Sequence, residues 1–330
     1  MASNIMNHHE RIEACIANEA VDRPAVAMWR HFPVEDQSPT SLAEATIDFQ
    51  RAYDFDLVKV TPASSFCIKD WGAKDEWLGA SEGTREYTHR VVQHPADWEQ
   101  LTILDPTKGY LAAQLDCLRM INGELGQEVP VIQTIFNPLA QAKNLVGAEN
   151  LSIHLRRYPQ ELKTGLRIIA ESIQRFIEAV RQTGAAGIFY AVQHAQYSLF
   201  SEKEYEEFGR SFDMQALETA QEFKFNMLHL HGVQVMFDRF MDYPVAMINW
   251  HDRETPPSLA EAKKKFSGAL CGGLRRQETM VLGTPEQIKS EAEDAFQQSG
   301  GQGLILGTGC VMPTIVPRGN IIAARKSVEK

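Results

Sequence analysis

Residues 185–232 read AAGIFYAVQHAQYSLFSEKEYEEFGRSFDMQALETAQEFKFNMLHLHG. The two ends, Ala185–Val192 and Phe225–Gly232, are short runs that are apolar nearly throughout. Between them, Glu202–Phe223 repeats its apolar residues at helical spacing. A continuous apolar run of this length suits a strand buried on both faces. A helix between two such strands makes them parallel neighbours joined by a right-handed crossover.

The same unit recurs in both directions. Toward the N-terminus lie Ala25–Trp29 (AVAMW), Leu57–Val60 (LVKV) and Val129–Phe136 (VPVIQTIF). Toward the C-terminus lie Val245–Trp250 (VAMINW), Ser267–Leu274 (SGALCGGL) and Gly303–Cys310 (GLILGTGC). Helical patterns separate them at Leu42–Tyr53, Leu151–Thr183 (read as two helices), Ser258–Phe266 and Pro285–Gln298. The last is opened by Thr284 as N-cap with Pro285 at its first position. Eight strand–helix units can close on themselves. The expected fold is therefore α/β, a single (β/α)8 TIM barrel over residues 1–330, with an open doubly wound sheet as its rival. The stretch Ser64–Gly109 breaks the rhythm after strand 2. Its tryptophans, glycines and the alternating Arg85–Gln93 (REYTHRVVQ) predict a small insertion with a hairpin over one end of the barrel.

Composition narrows the partners. With 44% hydrophobic and 23% charged residues, the chain is an ordinary globular protein. Its formal net charge of −10 argues against nucleic acid or an anionic membrane surface, which demand a concentrated basic face. The N-terminal MASNIMNHHERIEACIANEA lacks the apolar core of a signal peptide, and no run of residues is long and apolar enough to span a bilayer, so a cytoplasmic location is expected. Five scattered cysteines, Cys15, Cys67, Cys117, Cys271 and Cys310, have no paired spacing and suit a reducing compartment.

In such barrels the reacting groups come from strand C-termini and the loops after them. Here strand 1 ends in Arg30 and His31, strand 4 in Gln193 and His194, strand 6 in Asn249, Trp250 and His251, and strand 8 in Cys310, while strand 5 carries His229 and His231. His229 and His231 are two apart on a strand and so face one side, allowing both into one cavity. Two imidazoles and a thiolate leave a fourth tetrahedral position open, as catalytic zinc sites do. The alternative is that these are hydrogen-bonded histidines and a small buried cysteine. Arg30, His31, Gln193, His194 and His251 read as substrate-facing residues, with a structural ion pair as the rival role for Arg30. His8, His9 and His154 read as surface, Cys271 as core, and Gly272–Gly273 as a weak anion signal. No G-x-G-x-x-G opens a helix and no G-x-x-x-x-G-K-[ST] is present, so nucleotide binding has no support.

Taken together, Asp22–His31 (DRPAVAMWRH), Gly184–Phe208 (GAAGIFYAVQHAQYSLFSEKEYEEF), Leu228–Gly232 (LHLHG), Leu282–Ile288 (LGTPEQI) and Gly307–Ala323 (GTGCVMPTIVPRGNIIA) resemble the uroporphyrinogen decarboxylase superfamily over nearly the full length. Within it the chain looks more like the zinc-dependent corrinoid:thiol methyltransferases of the coenzyme M type than the decarboxylases. The resemblance implies zinc ligands at a His-x-Cys pair after strand 5 and a Cys after strand 8, positions that here read His229, His231 and Cys310. It implies methyl transfer between a corrinoid (cobalamin type), free or on a partner protein, and a thiol or other small acceptor, and a homodimer. The D-x-H-x-x-G signature of a corrinoid-binding domain is absent. The decarboxylases' arginine-paired R-Q-A-G-R-type loop is matched by Trp29-Arg30-His31-Phe32-Pro33, with one arginine, and their strand 8 histidine by Cys310. Two other expectations stand beside methyl transfer: a metal-free carboxy-lyase anchored by Arg30, and a non-catalytic small-molecule-binding homologue.

Overall fold

The computed structural model describes residues 5–329. In chain order its strands are β1 (Ala25–Val26), β2 (Val58–Val60), β3 (Lys74–Glu76), β4 (Glu86–His89), β5 (Val131–Phe136), β6 (Gly187–Val192), β7 (Met227–Leu230), β8 (Met247–Trp250), β9 (Ala269–Leu274) and β10 (Leu304–Thr308). Eight of them form one parallel sheet in the order β1-β10-β9-β8-β7-β6-β5-β2. Each of the eight apolar runs supplies one of these strands. Helices surround the sheet, and the fold is the (β/α)8 barrel.

The sheet closes through one residue, Asp56, by its backbone and its side chain. Between β1 and β2 the Asp56 amide donates to Val26 O at 2.8 Å, and the Val26 amide donates back to Asp56 Oδ2 at 2.8 Å. The same buried carboxylate accepts from Arg11 Nη1 at 2.6 Å and Arg23 Nη1 at 2.7 Å, and lies 2.8 Å from His8 Nδ1. Desolvation alone would raise its pKa. His8, Arg23 and Arg11 outweigh that and hold it well below the ordinary carboxylate range. His8, expected on the surface, is thus a strut of the barrel seam. His154 is also buried, its Nδ1 accepting from Trp98 Nε1 at 2.9 Å. Of these three histidines, His9 is the one that stays partly exposed without a carboxylate, its Nε2 lying 3.2 Å from Gly126 O.

Local chemistry sets the helix limits. Pro285–Gln298 begins as read, Thr284 accepting from the Gln287 amide while Gln287 reaches back to Thr284 N. Leu151–Thr183 splits into Ala148–Arg157 and Pro159–Arg181, because Pro159 bars the helical conformation at Tyr158. The helix after β6 carries a π-turn at Glu206–Arg210, where a Cβ on Gly209 would strike the Tyr205 ring.

The insertion differs in detail from the expectation. Arg85–Gln93 does not fold back on itself; its Glu86–His89 portion pairs antiparallel with Lys74–Glu76. Residues 85–93 contain no turn-former, whereas Gly79 and Gly83 supply positive φ between the strands. The insertion covers the C-terminal end of the barrel, where the Thr314 amide donates to Ser81 O and Glu82 pairs with Arg276. Among the described residues no helix is long and apolar enough to cross a membrane.

Candidate metal centre

Parallel register decides what meets at the barrel mouth. On β7 and β8, His229 lies beside Asn249 and Leu230 beside Trp250. Alternation turns His229 and His231 into the barrel, and the residue two beyond Asn249, His251, follows the same face. Leu230 and Trp250 are fully buried between them. On the far side β10 ends at Thr308 and delivers Cys310, two residues further on. A Cβ on Gly309 would lie 2.7 Å from His251 Cα and 2.8 Å from Trp250 O, so glycine alone allows this strand end to approach β8 closely.

The outcome is a cluster of four. One donor atom each from His229, His231, His251 and Cys310 lie within 4.8 Å of one another. Cys310 Sγ is 3.7 Å from His229 Nε2 and 3.6 Å from His231 Nδ1. A tetrahedral zinc with ordinary bond lengths separates nitrogen and sulfur ligands by about 3.6 Å, so the spacing fits a metal. The surrounding hydrogen bonds fit as well. Asn249 Nδ2 donates to Cys271 O and Thr308 O, leaving its Oδ1 to accept the Nδ1 proton of His229 at 2.7 Å. His229 Nε2 therefore presents a lone pair to the cluster. His251 Nδ1 is 3.0 Å from Glu254 Oε2, and its buried Nε2 has no hydrogen-bond partner. Burial would raise the Cys310 pKa, but His229 and His231 outweigh it and bring it well below the ordinary thiol value, which favours the thiolate form a metal could take up. Burial would lower His251, yet Cys310 and Glu254 hold it above its usual value.

Above the cluster is a cavity of about 380 Å³, within the usual range for small-molecule sites. His31, Gln193 and His194 line it, as expected from their strand ends, together with His229, His231 and Cys310. Burial, with Lys59 adding to it, lowers the His31 pKa to about 4. Burial and Lys143 lower that of His194 to about 3. Both imidazoles are neutral near pH 7, and the Nδ1 of each is unpartnered.

Two sequence expectations need correction. Arg30 does not line the cavity: it sits between the inward-facing Trp29 and His31, so alternation sends it outward, over the Phe32 ring and against Thr314 O. His251 is no wall residue but the fourth donor of the cluster. Its signal was present, since Asn249-Trp250-His251 repeats the spacing of His229-Leu230-His231 one strand later. The Gly273 amide is taken by the chain's own carboxyl group, donating to both oxygens of Asp252. Cys271 is core, as read. Lys59, the one charged residue in the β2 run, was passed over. A lysine in a strand buried on both faces was the available warning.

Residues 7–330 match the family described as Uroporphyrinogen decarboxylase (URO-D). A uroporphyrinogen decarboxylase of Chlorobium limicola is 26% identical over 239 residues, covering 64% of this chain and 61% of that protein. The chain thus spans about three fifths of the length of this curated relative. A solved methyltransferase from Methanosarcina mazei is similar at a TM-score of 0.86 and 18% identity, with 98% of each chain covered. A B12-independent methionine synthase from Shewanella sp. W3-18-1, in complex with selenomethionine, is similar at a TM-score of 0.60 and 13% identity, over 87% of this chain and 86% of that one. At these identities the structural likeness speaks for the barrel, not its chemistry.

Proposed function

The chain belongs to the uroporphyrinogen decarboxylase family, and we propose that it is a zinc-dependent methyltransferase moving a methyl group between a corrinoid and a thiol or other small acceptor. The observation that carries this reading is the convergence of His229, His231, His251 and Cys310 beneath the cavity. When bound, zinc would supply Lewis acidity that lowers the pKa of a thiol or similar acceptor at the cavity floor, and with four donors present the acceptor would take a fifth position or the place of one of them. Asn249 and Glu254 orient the imidazoles of His229 and His251, and the β7–β8 register sets His229 beside Asn249. His31 and His194, neutral in their buried positions, offer hydrogen bonds to a bound substrate without adding charge. Imidazole at position 231 makes the donor set three nitrogens and one sulfur. That set leaves a metal more electrophilic than one with several thiolates, and so less able to present an electron-rich thiolate. The corrinoid would come free or on a partner protein docking at the barrel mouth.

The deciding measurement is the metal content of protein purified without a histidine tag. About one zinc per chain in wild type, lost in His229→Ala, His231→Ala and Cys310→Ser, is the expected result. A wild type that stays empty after incubation with zinc would sink this reading.

A second reading, a carboxy-lyase, is favoured by the name of the curated relative. It predicts carbon dioxide release that persists in Cys310→Ser and in metal-stripped protein. The carboxylate anchor it assigned to Arg30 lies outside the cavity, which weakens it.

A further inference from the structure

The insertion over the barrel mouth is tied to the loops that carry two of the four cluster donors. Its tip, residues 77–85, joins β3 to β4 and turns at Gly79 and Gly83, both at positive φ. A Cβ on Gly83 would lie 2.4 Å from His31 Cβ, so the tip rests directly on a residue that lines the cavity. Ser81 O accepts from the Thr314 amide at 2.6 Å and from Thr314 Oγ1 at 2.8 Å. Thr314 stands four residues beyond Cys310 on the same loop.

The second tie is a row of charges. Glu82 Oε1 lies 2.7 Å from Arg276 Nη1, Arg276 Nε lies 3.8 Å from Glu254 Oε1, and Glu254 Oε2 lies 3.0 Å from His251 Nδ1. The row starts on the insertion after β2, passes through the loop after β9 and ends on the loop after β8. In the closed sheet β1 and β10 stand between β2 and β9, so the row spans part of the mouth rather than joining neighbouring strands. Its middle joint is loose. Arg276 Nε is buried without a hydrogen-bond partner, an unspent donor beside the Glu254 carboxylate. Such a donor gains when the carboxylate closes on it.

We propose that Arg276 and Glu82 are positioning residues of the metal centre, acting on His251 through Glu254, and that the same row holds the insertion tip down over the cavity when the metal site is filled. An imidazole whose Nε2 is held by a cation donates more strongly from Nδ1, and its acceptor carboxylate is fixed more firmly. Glu254 fixed in this way presents Oε1 to Arg276, and Arg276 presents Nη1 to Glu82. The coupling is reciprocal, so whatever holds the tip down also tightens metal binding. The proposal rests on the reading of the four donors as a metal site, and adds to it the groups that join that site to the cavity's cover.

The test is hydrogen–deuterium exchange at residues 78–84 of tag-free protein, stripped of metal and then with zinc restored. Zinc content and chelator competition are measured on the same preparations. In wild type, zinc is expected to slow exchange at the tip about fivefold or more. Arg276→Met and Glu82→Gln should abolish that slowing while zinc still binds at saturation. Arg276→Met should weaken zinc binding about threefold to tenfold in the wild-type background and leave it unchanged in Glu254→Ala, because Arg276 acts through that carboxylate. Wild type that takes up zinc with tip exchange unchanged would overturn the proposal, and this comparison needs no variant to fold. Equal losses from Arg276→Met with and without the Glu254 carboxylate would also overturn it. Wild type that takes up no zinc would remove the metal reading and this proposal with it, so zinc content tells the two failures apart.

Discussion

Asn249 Oδ1 lies 2.7 Å from His229 Nδ1, and the amide is held in that orientation by donating its own Nδ2 to Cys271 O and Thr308 O. One side chain thereby couples β8 to β7, β9 and β10 and fixes which nitrogen of His229 faces the cluster. Asn249→Ala should weaken zinc binding about ten- to a hundredfold, as loss of an orienting partner does. Leaving buried polar groups unpaired should also cost about 1–3 kcal/mol of stability. Competition against a chelator and a urea titration measure the two effects separately.

His251 should behave as a ligand and Arg30 should not. His251→Ala is expected to lower zinc content as Cys310→Ser does, and Glu254→Gln to reduce affinity by about tenfold or less because a neutral acceptor remains. Arg30→Met should leave zinc content unchanged, since its guanidinium lies outside the cavity. Elemental analysis of the three purified variants tests this, and full zinc in His251→Ala would refute the four-donor site.

Acid should loosen the barrel seam. Asp56 binds its proton more weakly in the fold than in the unfolded chain, where the carboxyl has its ordinary pKa of 3.8. Its contribution is therefore full above that value and is lost as pH falls below it. Asp22, lowered to about 2 chiefly by Arg11, has the same sign. Urea midpoints should fall between pH 5 and about pH 3 in wild type. Asp56→Asn, which strips Arg11 and Arg23 of a buried partner, should be about 3–5 kcal/mol less stable at neutral pH and show a smaller acid slope.

Gly309→Ala should separate fold from site. The new methyl would meet the backbone of His251 and Trp250, which cannot yield as a flexible side chain can. We expect zinc content to fall sharply, with a loss of roughly 1–3 kcal/mol of stability from overpacking. Circular dichroism that stays native while zinc is lost is the diagnostic outcome.

All eight barrel strands were legible because a strand buried on both faces announces itself as an apolar run, whatever its partners. The Thr284 cap and the pair His229 and His231 were legible for a similar reason: capping and alternation act within a few residues of chain. Lys59 was missed because a single charge inside VKV reads as tolerance for a polar residue until burial and the absence of a counter-ion are known. The hairpin was misplaced because alternation marks Glu86–His89 as a strand without naming its partner.

What the sequence determined by itself is therefore the barrel and its family, since periodicity and motifs are properties of the chain alone. Tertiary structure decided that His251 joins His229, His231 and Cys310, that Arg30 turns away, and that Asp56 closes the sheet. Each of these depends on register between strands distant in sequence, or on which face a loop residue takes on leaving its strand. Those choices are made by packing and by desolvated charge seeking a partner; local patterns, such as the repeated spacing at Asn249 and His251, mark a face of a strand without naming what meets it.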